Sequence, residues 1–118
     1  MTDSSVDHSA FAPEDAKLVT LARATRVRTR AAEGAAVRDL DGRTYAAASV
    51  ELPSLQLSAL QVCVAMATAS GSTGLEAAVV LSDDPSATGV DAVRDFAGAG
   101  VPVHLADARG TIGSTVVA

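Results

Sequence analysis

The stretch from Leu55 to Ser70 constrains this chain most. Read as a helix it is apolar on nearly every face, and such a helix is stable only when covered on most sides. It is not a membrane span: a span needs about 18 or more apolar residues, and the most apolar part, Leu57 to Ala69, is interrupted by Ser58, Gln61 and Thr68. In a chain of 118 residues, the helix therefore requires a sheet beneath it and further protein above it. Phe11, Tyr45 and Phe96 are the only aromatic residues, although 48% of the chain is apolar. The core must be built from Ala, Val and Leu, with backbones close together. Surfaces of that kind suit subunit interfaces as well as interiors.

The remaining segments supply the sheet. Pro13-Glu14-Asp15 opens a first helix, since Pro is tolerated in the first turn and acids there favour the macrodipole. Leu18, Leu21, Ala22, Thr25 and Thr29 share one face of it at helical spacing. Glu33-Gly34 ends this unit. Ala35 to Leu40 and Arg43 to Val50 read as two strands joined at Asp41-Gly42, a dipeptide that predicts a primed hairpin turn. A loop follows at Glu51-Leu52-Pro53-Ser54, because Pro53 excludes a continuing central strand. After the apolar helix, Leu75 to Leu81 is a continuous apolar run that fits a central strand. Ser82 to Ser86 is a loop at its carboxyl end. Gly89 to Ala97 reads as a helix, Val101 to Ala106 as a strand, and Thr111 to Val117 as a last strand after a turn at Arg109-Gly110. The predicted order is α-β-β-α-β-α-β-β, a mixed sheet with helices on its faces. Residues 1–12 read as a flexible leader and 13–118 as one domain.

Charge and cysteine usage narrow the function classes. The net charge of −5 gives no general attraction to nucleic acid or anionic lipid. The acidic, polar start has no basic region or apolar core of a signal peptide, so the expected location is cytoplasmic. Cys63 is the lone cysteine and lies among apolar neighbours, which predicts a small buried hydrophobe rather than a nucleophile. Five of the nine basic residues fall between Lys17 and Arg30. On a helix, Arg23, Arg26 and Arg30 form a ridge. It could contact phosphates, but no aromatic residues interleave as stacking platforms, and an ion-pairing or solvated face is the expectation.

Two quoted stretches carry a family resemblance: GAAVRDLDGRTYAAASVELPSLQLSALQVCVAMATASG from Gly34, and DDPSATGVDAVRDFAGAGVPVHLADARGTI from Asp83. Their order and spacing resemble the small homotetrameric zinc cytidine deaminases. In those enzymes the corresponding motifs run G-A-A-L, D-G, Y and N-x-E, then C-A-E and P-C-x-x-C, each of the last two opening a helix. The resemblance covers roughly residues 14–115. It implies a cytidine deaminase-like three-layer sandwich and a homo-oligomer, a tetramer or a dimer, whose core is the helix corresponding to Leu55–Ser70.

The family's chemistry does not carry over. Zinc deaminases need thiolate or imidazole ligands and a separate proton-shuttling Glu. C-A-E falls on Ser58-Ala59-Leu60, or in a second register on Leu60-Gln61-Val62, and either places an aliphatic residue where that Glu belongs. P-C-x-x-C becomes Pro85-Ser86-Ala87-Thr88-Gly89, so Ser86 and Gly89 stand at the ligand positions. The expectation is no metal, no cofactor and no catalytic residue. His8 lies in the leader, and His104 reads as a satisfied or edge-facing strand residue. Asp83 and Asp84 read as solvated turn residues, with nothing nearby to complete a metal shell. Of N-x-E, Ser49-Val50-Glu51 keeps the glutamate, which in the family contacts ribose hydroxyls. Glu51, with Ser49, is the candidate ligand contact, against a loop carboxylate that caps the next helix or faces solvent. These losses predict a scaffold or binding module for a nucleoside-like ligand or an unidentified protein partner. Two other readings stay open: metal-free chemistry through Ser58, Ser86 or Asp83, and RNA binding through Arg23, Arg26 and Arg30.

Overall fold

The computed structural model describes residues 12–84 and 89–118. Phe11, His8, Pro85 and Ser86, with the leader 1–11, lie outside the described residues. Helix α1 (Pro13–Thr29) is followed by β1 (Gly34–Asp39), β2 (Thr44–Ala48), β3 (Val50–Leu52) and β4 (Leu55–Leu57). Then come α2 (Ala59–Ala69), β5 (Leu75–Leu81), α3 (Val90–Ala97), β6 (Pro102–Ala106) and β7 (Ile112–Val117). The main sheet has the order β2-β1-β5-β6-β7. Only β5 and β6 pair in parallel, joined by the crossover that contains α3. The other pairs are antiparallel.

Strand β5 lies in the middle and is buried on both faces, as its unbroken apolar run requires. Ala78 and Val80 point into one core, where Leu60, Cys63 and Val64 of α2 and Val93 of α3 meet Val37 and Val103. Ala77, Val79 and Leu81 point into a second core against Leu18 and Ala22 of α1. Helices therefore cover both faces, giving three layers. With about 1.5–3 kcal/mol for each fully buried Val or Leu, these two cores dominate stability.

Small residues let the layers approach. A Cβ built on Gly34 would sit 2.3 Å from the Ala22 carbonyl oxygen and 2.7 Å from Cβ of Arg26, so α1 rests directly on the start of β1. The buried face of α1 is Asp15, Leu18, Ala22 and Thr25, while Leu21 is 37% exposed and Thr29 is exposed.

Three local expectations are corrected. Leu55–Leu57 is not helix: it pairs with Val50–Leu52 as a two-stranded hairpin, with Pro53-Ser54 as the turn. The helix starts only after Ser58, whose hydroxyl accepts the Gln61 amide while the Gln61 side chain accepts the Ser58 amide. This reciprocal cap fixes the boundary that apolarity alone blurred. Glu51–Ser54 is accordingly not a plain loop. The β1–β2 turn is not primed either, because Gly42 alone has positive φ, at 87°. Asp39 accepts the amides of Asp41 and Arg43 on its carboxylate, and its carbonyl accepts the Gly42 amide. The result is a three-residue turn closed by a left-handed glycine. The β6–β7 turn repeats it: Asp107 accepts the Arg109 and Thr111 amides, and Gly110 has φ 96°. Those amide bonds, the one from Thr111 foremost, hold the Asp107 carboxyl below its usual range.

Candidate functional site

Ligands of open α/β sheets gather at the carboxyl ends of the parallel strands, where connections diverge. At that end of β5 the chain has an open cleft of about 950 Å³. Its walls are the segment before β1, the β3–β4 hairpin, the start of α2, Ser82–Asp84 and the start of α3.

Glu33 organises the floor. One carboxylate oxygen accepts the amide of Ala59 at the first turn of α2, at 3.2 Å, and the other accepts the Ser82 hydroxyl at 3.1 Å. Its backbone amide donates to the Ser49 hydroxyl, and the Ser49 amide returns a bond to the Glu33 carbonyl. A carboxylate at a helix start also meets the positive end of the macrodipole. Ser82 is itself buried, and its oxygen accepts the Asp84 amide.

Ser49 and Glu51, the candidate ligand contacts, both line this cleft. Ser49 is engaged with Glu33, whereas Glu51 is exposed on the β3–β4 hairpin and does not cap α2, a task done by Ser58. Asp83 and Asp84 line the opposite wall and are exposed, with Asp83 accepting the Ala108 amide at 3.4 Å. Ser58 and Gly89 do come together: a Cβ at Gly89 would lie 2.8 Å from the Ser58 hydroxyl and 2.9 Å from Cγ of Gln61. Leu60 does not join them, because it is fully buried in the core between α2 and the sheet. The proposed arginine ridge is divided. Arg26 lines the cleft, Arg23 lines a separate groove with Arg109, and Arg30 is the left-handed cap of α1.

Two buried polar clusters lie elsewhere. At the opposite end of β1, the Asp39 carboxylate accepts the Ser72 hydroxyl at 2.6 Å and that of Tyr45 at 3.3 Å. The Ser72 bond foremost, with the turn amides, holds the Asp39 carboxyl below its usual range. His104 is a satisfied strand residue: it is 2% exposed, with Nε2 3.1 Å from Asp15 and Nδ1 2.8 Å from Thr115. Asp15 also pairs with Arg38 at 2.8 Å, so this cluster bolts α1 to β1, β6 and β7. Cys63 is buried, and burial pushes its thiol up to about 12. Neither the role of Glu33 nor the Asp15–His104 pair is visible in sequence spacing, since the partners are far apart along the chain.

The profile of the family described as cytidine deaminase-like matches residues 11–110. The chain belongs to the cytidine deaminase-like family. A crystal structure of cytidine deaminase from Burkholderia pseudomallei superimposes with a TM-score of 0.73 at 21% identity, covering 86% of this chain and 91% of that one. At that identity the likeness speaks for the fold, which is the α/β architecture with a mixed sheet and helices on both faces. No curated protein matches the sequence. No helix among the described residues is long and apolar enough to cross a membrane.

The family resemblance raises zinc, so its fit to the starts of α2 and α3 matters. Zinc takes thiolate, imidazole or carboxylate donors in a tetrahedral array. Here Ser58 offers a hydroxyl already engaged as a helix cap, and Gly89 offers no side chain. Among the described residues, no group of three His, Cys, Asp or Glu side chains is arranged to hold a metal. The described residues do not fit zinc.

Proposed function

We propose that this protein is a metal-free binding domain on the cytidine deaminase fold, with the cleft at Glu51 holding a nucleoside-like ligand by its hydroxyls. The observation that carries the reading is that this cleft is open, with Glu33, Glu51, Asp83 and Asp84 among its lining residues, while Ser58 and Gly89 meet at the starts of α2 and α3. A cleft plugged by side chains would have argued for a scaffold alone. Catalysis of deamination is not expected, since nothing at Ser58 or Gly89 can activate water and either register puts an aliphatic residue, Leu60 or Val62, where a proton-shuttling Glu is needed. The place of Glu51 on the exposed hairpin, lining the cleft with Ser49, supports a ligand-contact role.

A second reading, self-association, rests on different residues. Ala65 and Ala69 leave a small-residue strip exposed on α2, and Leu52 and Leu55 are 55% and 48% exposed on the hairpin. A dimer or tetramer would cover them. Ala65→Glu then splits the assembly in sedimentation, and a wild-type monomer at micromolar concentration would remove this reading.

The test of the binding reading is a calorimetric or NMR titration with cytidine, on protein checked for zinc by elemental analysis. Saturable binding with shifts at Ser49 and Glu51, weakened about tenfold in Glu51→Gln, is the expected result. Zinc at one per chain, or ammonia release from cytidine by a preparation free of host deaminase, would overturn it.

A further inference from the structure

We propose that Thr115 is a nucleophile, activated by His104 and Asp15, that takes an acyl group from a small activated carboxylic ester. The site lies on the α1 face of β6 and β7 and does not depend on the cleft.

The three side chains form one chain of hydrogen bonds. Asp15 Oδ2 lies 3.1 Å from Nε2 of His104, and Nδ1 of the same ring lies 2.8 Å from the Thr115 hydroxyl. Asp15 gives its other oxygen to Arg38 at 2.8 Å. A carboxylate paired in this way only accepts, so the imidazole holds a proton on Nε2 and, when neutral, keeps its lone pair on Nδ1. That lone pair accepts the Thr115 hydroxyl. A nucleophile, a base and a group that orients the base therefore stand in the order that acyl transfer uses. The sequence hides them, because Asp15 opens α1 while His104 and Thr115 lie in β6 and β7.

Exposure rises at the reacting end. Asp15 is 6% exposed and His104 2%, whereas Thr115 is exposed on β7, an edge strand of the main sheet. Asp15, Arg38 and His104 suffice to bolt α1 to the sheet; the further bond to Thr115 connects a buried base to a surface hydroxyl. Two features of the edge fit an acyl group. Ala118 donates to Val101, so in this register Val103–Val116 and Leu105–Ser114 exchange the ladder bonds, and Thr115 turns its own amide away from β6. That amide is a donor for the oxyanion that forms on attack. Val117, on the same face of the strand as Thr115, is 66% exposed and offers an apolar contact to a short acyl chain.

The step balances without a metal, an oxidant or a reductant. As Thr115 Oγ bonds to the ester carbonyl carbon, its proton passes to His104 Nδ1, and Asp15 stabilises the imidazolium. The bond from that carbon to the alcohol oxygen then breaks, and the departing alcohol takes the proton back. The products are an O-acyl threonine and the free alcohol.

The experiment treats the wild-type chain, Thr115→Ser, Thr115→Val and Asp15→Asn with p-nitrophenyl acetate. Wild type and Thr115→Ser should release a burst of p-nitrophenol, and peptide mapping should place the acetyl group on residue 115. Thr115→Val, close in shape, should slow the burst about a hundredfold or more. Asp15→Asn should slow it too, because an amide can donate to Nε2 and leave the ring proton on Nδ1. The ring-nitrogen resonances of His104 should report that change of tautomer, which loss of packing alone does not produce. Should Asp15→Asn fail to fold, Thr115→Val and the wild-type peptide map decide. No burst, a burst unchanged in Thr115→Val, acetyl groups on Lys17, His8 or the terminal amine instead of Thr115, or a wild-type ring proton on Nδ1 would overturn the proposal.

Discussion

The two ends of the β1–β5 pair are built from the same parts and behave in opposite ways. At one end Asp39 closes β1 and meets Ser72 just ahead of β5; at the other Glu33 precedes β1 and meets Ser82 just after β5. Each is a carboxylate–serine contact that ties neighbouring strands. Asp39, however, is 1% exposed and surrounded by Tyr45, Arg43 and two turn amides, so its acceptor capacity is filled. Glu33 lies at an open cleft, and each of its carboxylate oxygens accepts a single bond. A saturated cluster can only support structure. Spare hydrogen-bonding capacity lies at the open end.

The sharpest test of this contrast uses one glycine from each end. Gly34→Val should destabilise by about 3 kcal/mol or more, because its side chain would overlap the Ala22 carbonyl and force α1 from the sheet. Gly42→Ala meets nothing within 4 Å and pays only for its left-handed backbone, about 1–2 kcal/mol. Thermal melts of the two variants should rank in that order, and near-equal melts would mean that α1 does not rest on Gly34 as described.

Replacing the two carboxylates should separate the ends next. Asp39→Asn should lower the melting temperature more than Glu33→Gln, whose amide can still accept from Ala59 and loses only the Ser82 contact, worth about 1 kcal/mol. If Glu33→Gln proves the more damaging, the cleft end is the structural one and the comparison is inverted.

Acid should act through Asp39. Its folded-state pKa lies below the unfolded value, so its contribution is fully present above the ordinary carboxylate range. That contribution is lost as pH falls through the folded value. Ser72→Ala removes the largest cause of the shift, so its melting temperature should fall by less between neutral and acidic pH than that of the wild type. Identical pH profiles would remove Ser72 from the account.

The smallest effect concerns the helix between the two ends. With its thiol pushed up to about 12 by burial, Cys63 should resist an aromatic disulfide reagent at pH 8 in the native state and react after unfolding. Rapid native labelling would show that α2 opens from the sheet.

The fold was legible in the sequence wherever periodicity and turn chemistry agreed. The central strand Leu75–Leu81 matches to the residue, because an unbroken apolar run has nowhere to go but the middle of a sheet. The boundary of α2 was not legible, since Leu55 and Leu57 are as compatible with a hairpin as with a helix, and only the Ser58–Gln61 cap decides. At the hairpins the informative pattern is Asp-x-x-Gly, present at Asp39–Gly42 and Asp107–Gly110, rather than the Asp-Gly pair alone. In the cleft, Ser49, Glu51 and Ser58 could be named in advance because a family pattern points to them. Glu33 could not, since what makes it matter is which groups it meets across the fold.

The contact between Gly89 and Ser58 also sets a direction for sequence change. Gly89 has φ 83°, so any side chain there is strained before it touches anything, and the first atom it would touch is the hydroxyl that caps α2. A cysteine at 89 alone therefore weakens the protein while gaining no metal, and a cysteine at 58 alone forfeits the cap for the same lack of return. Each of the two changes is unfavourable when taken singly, and the Ser58–Gly89 contact makes their costs interdependent.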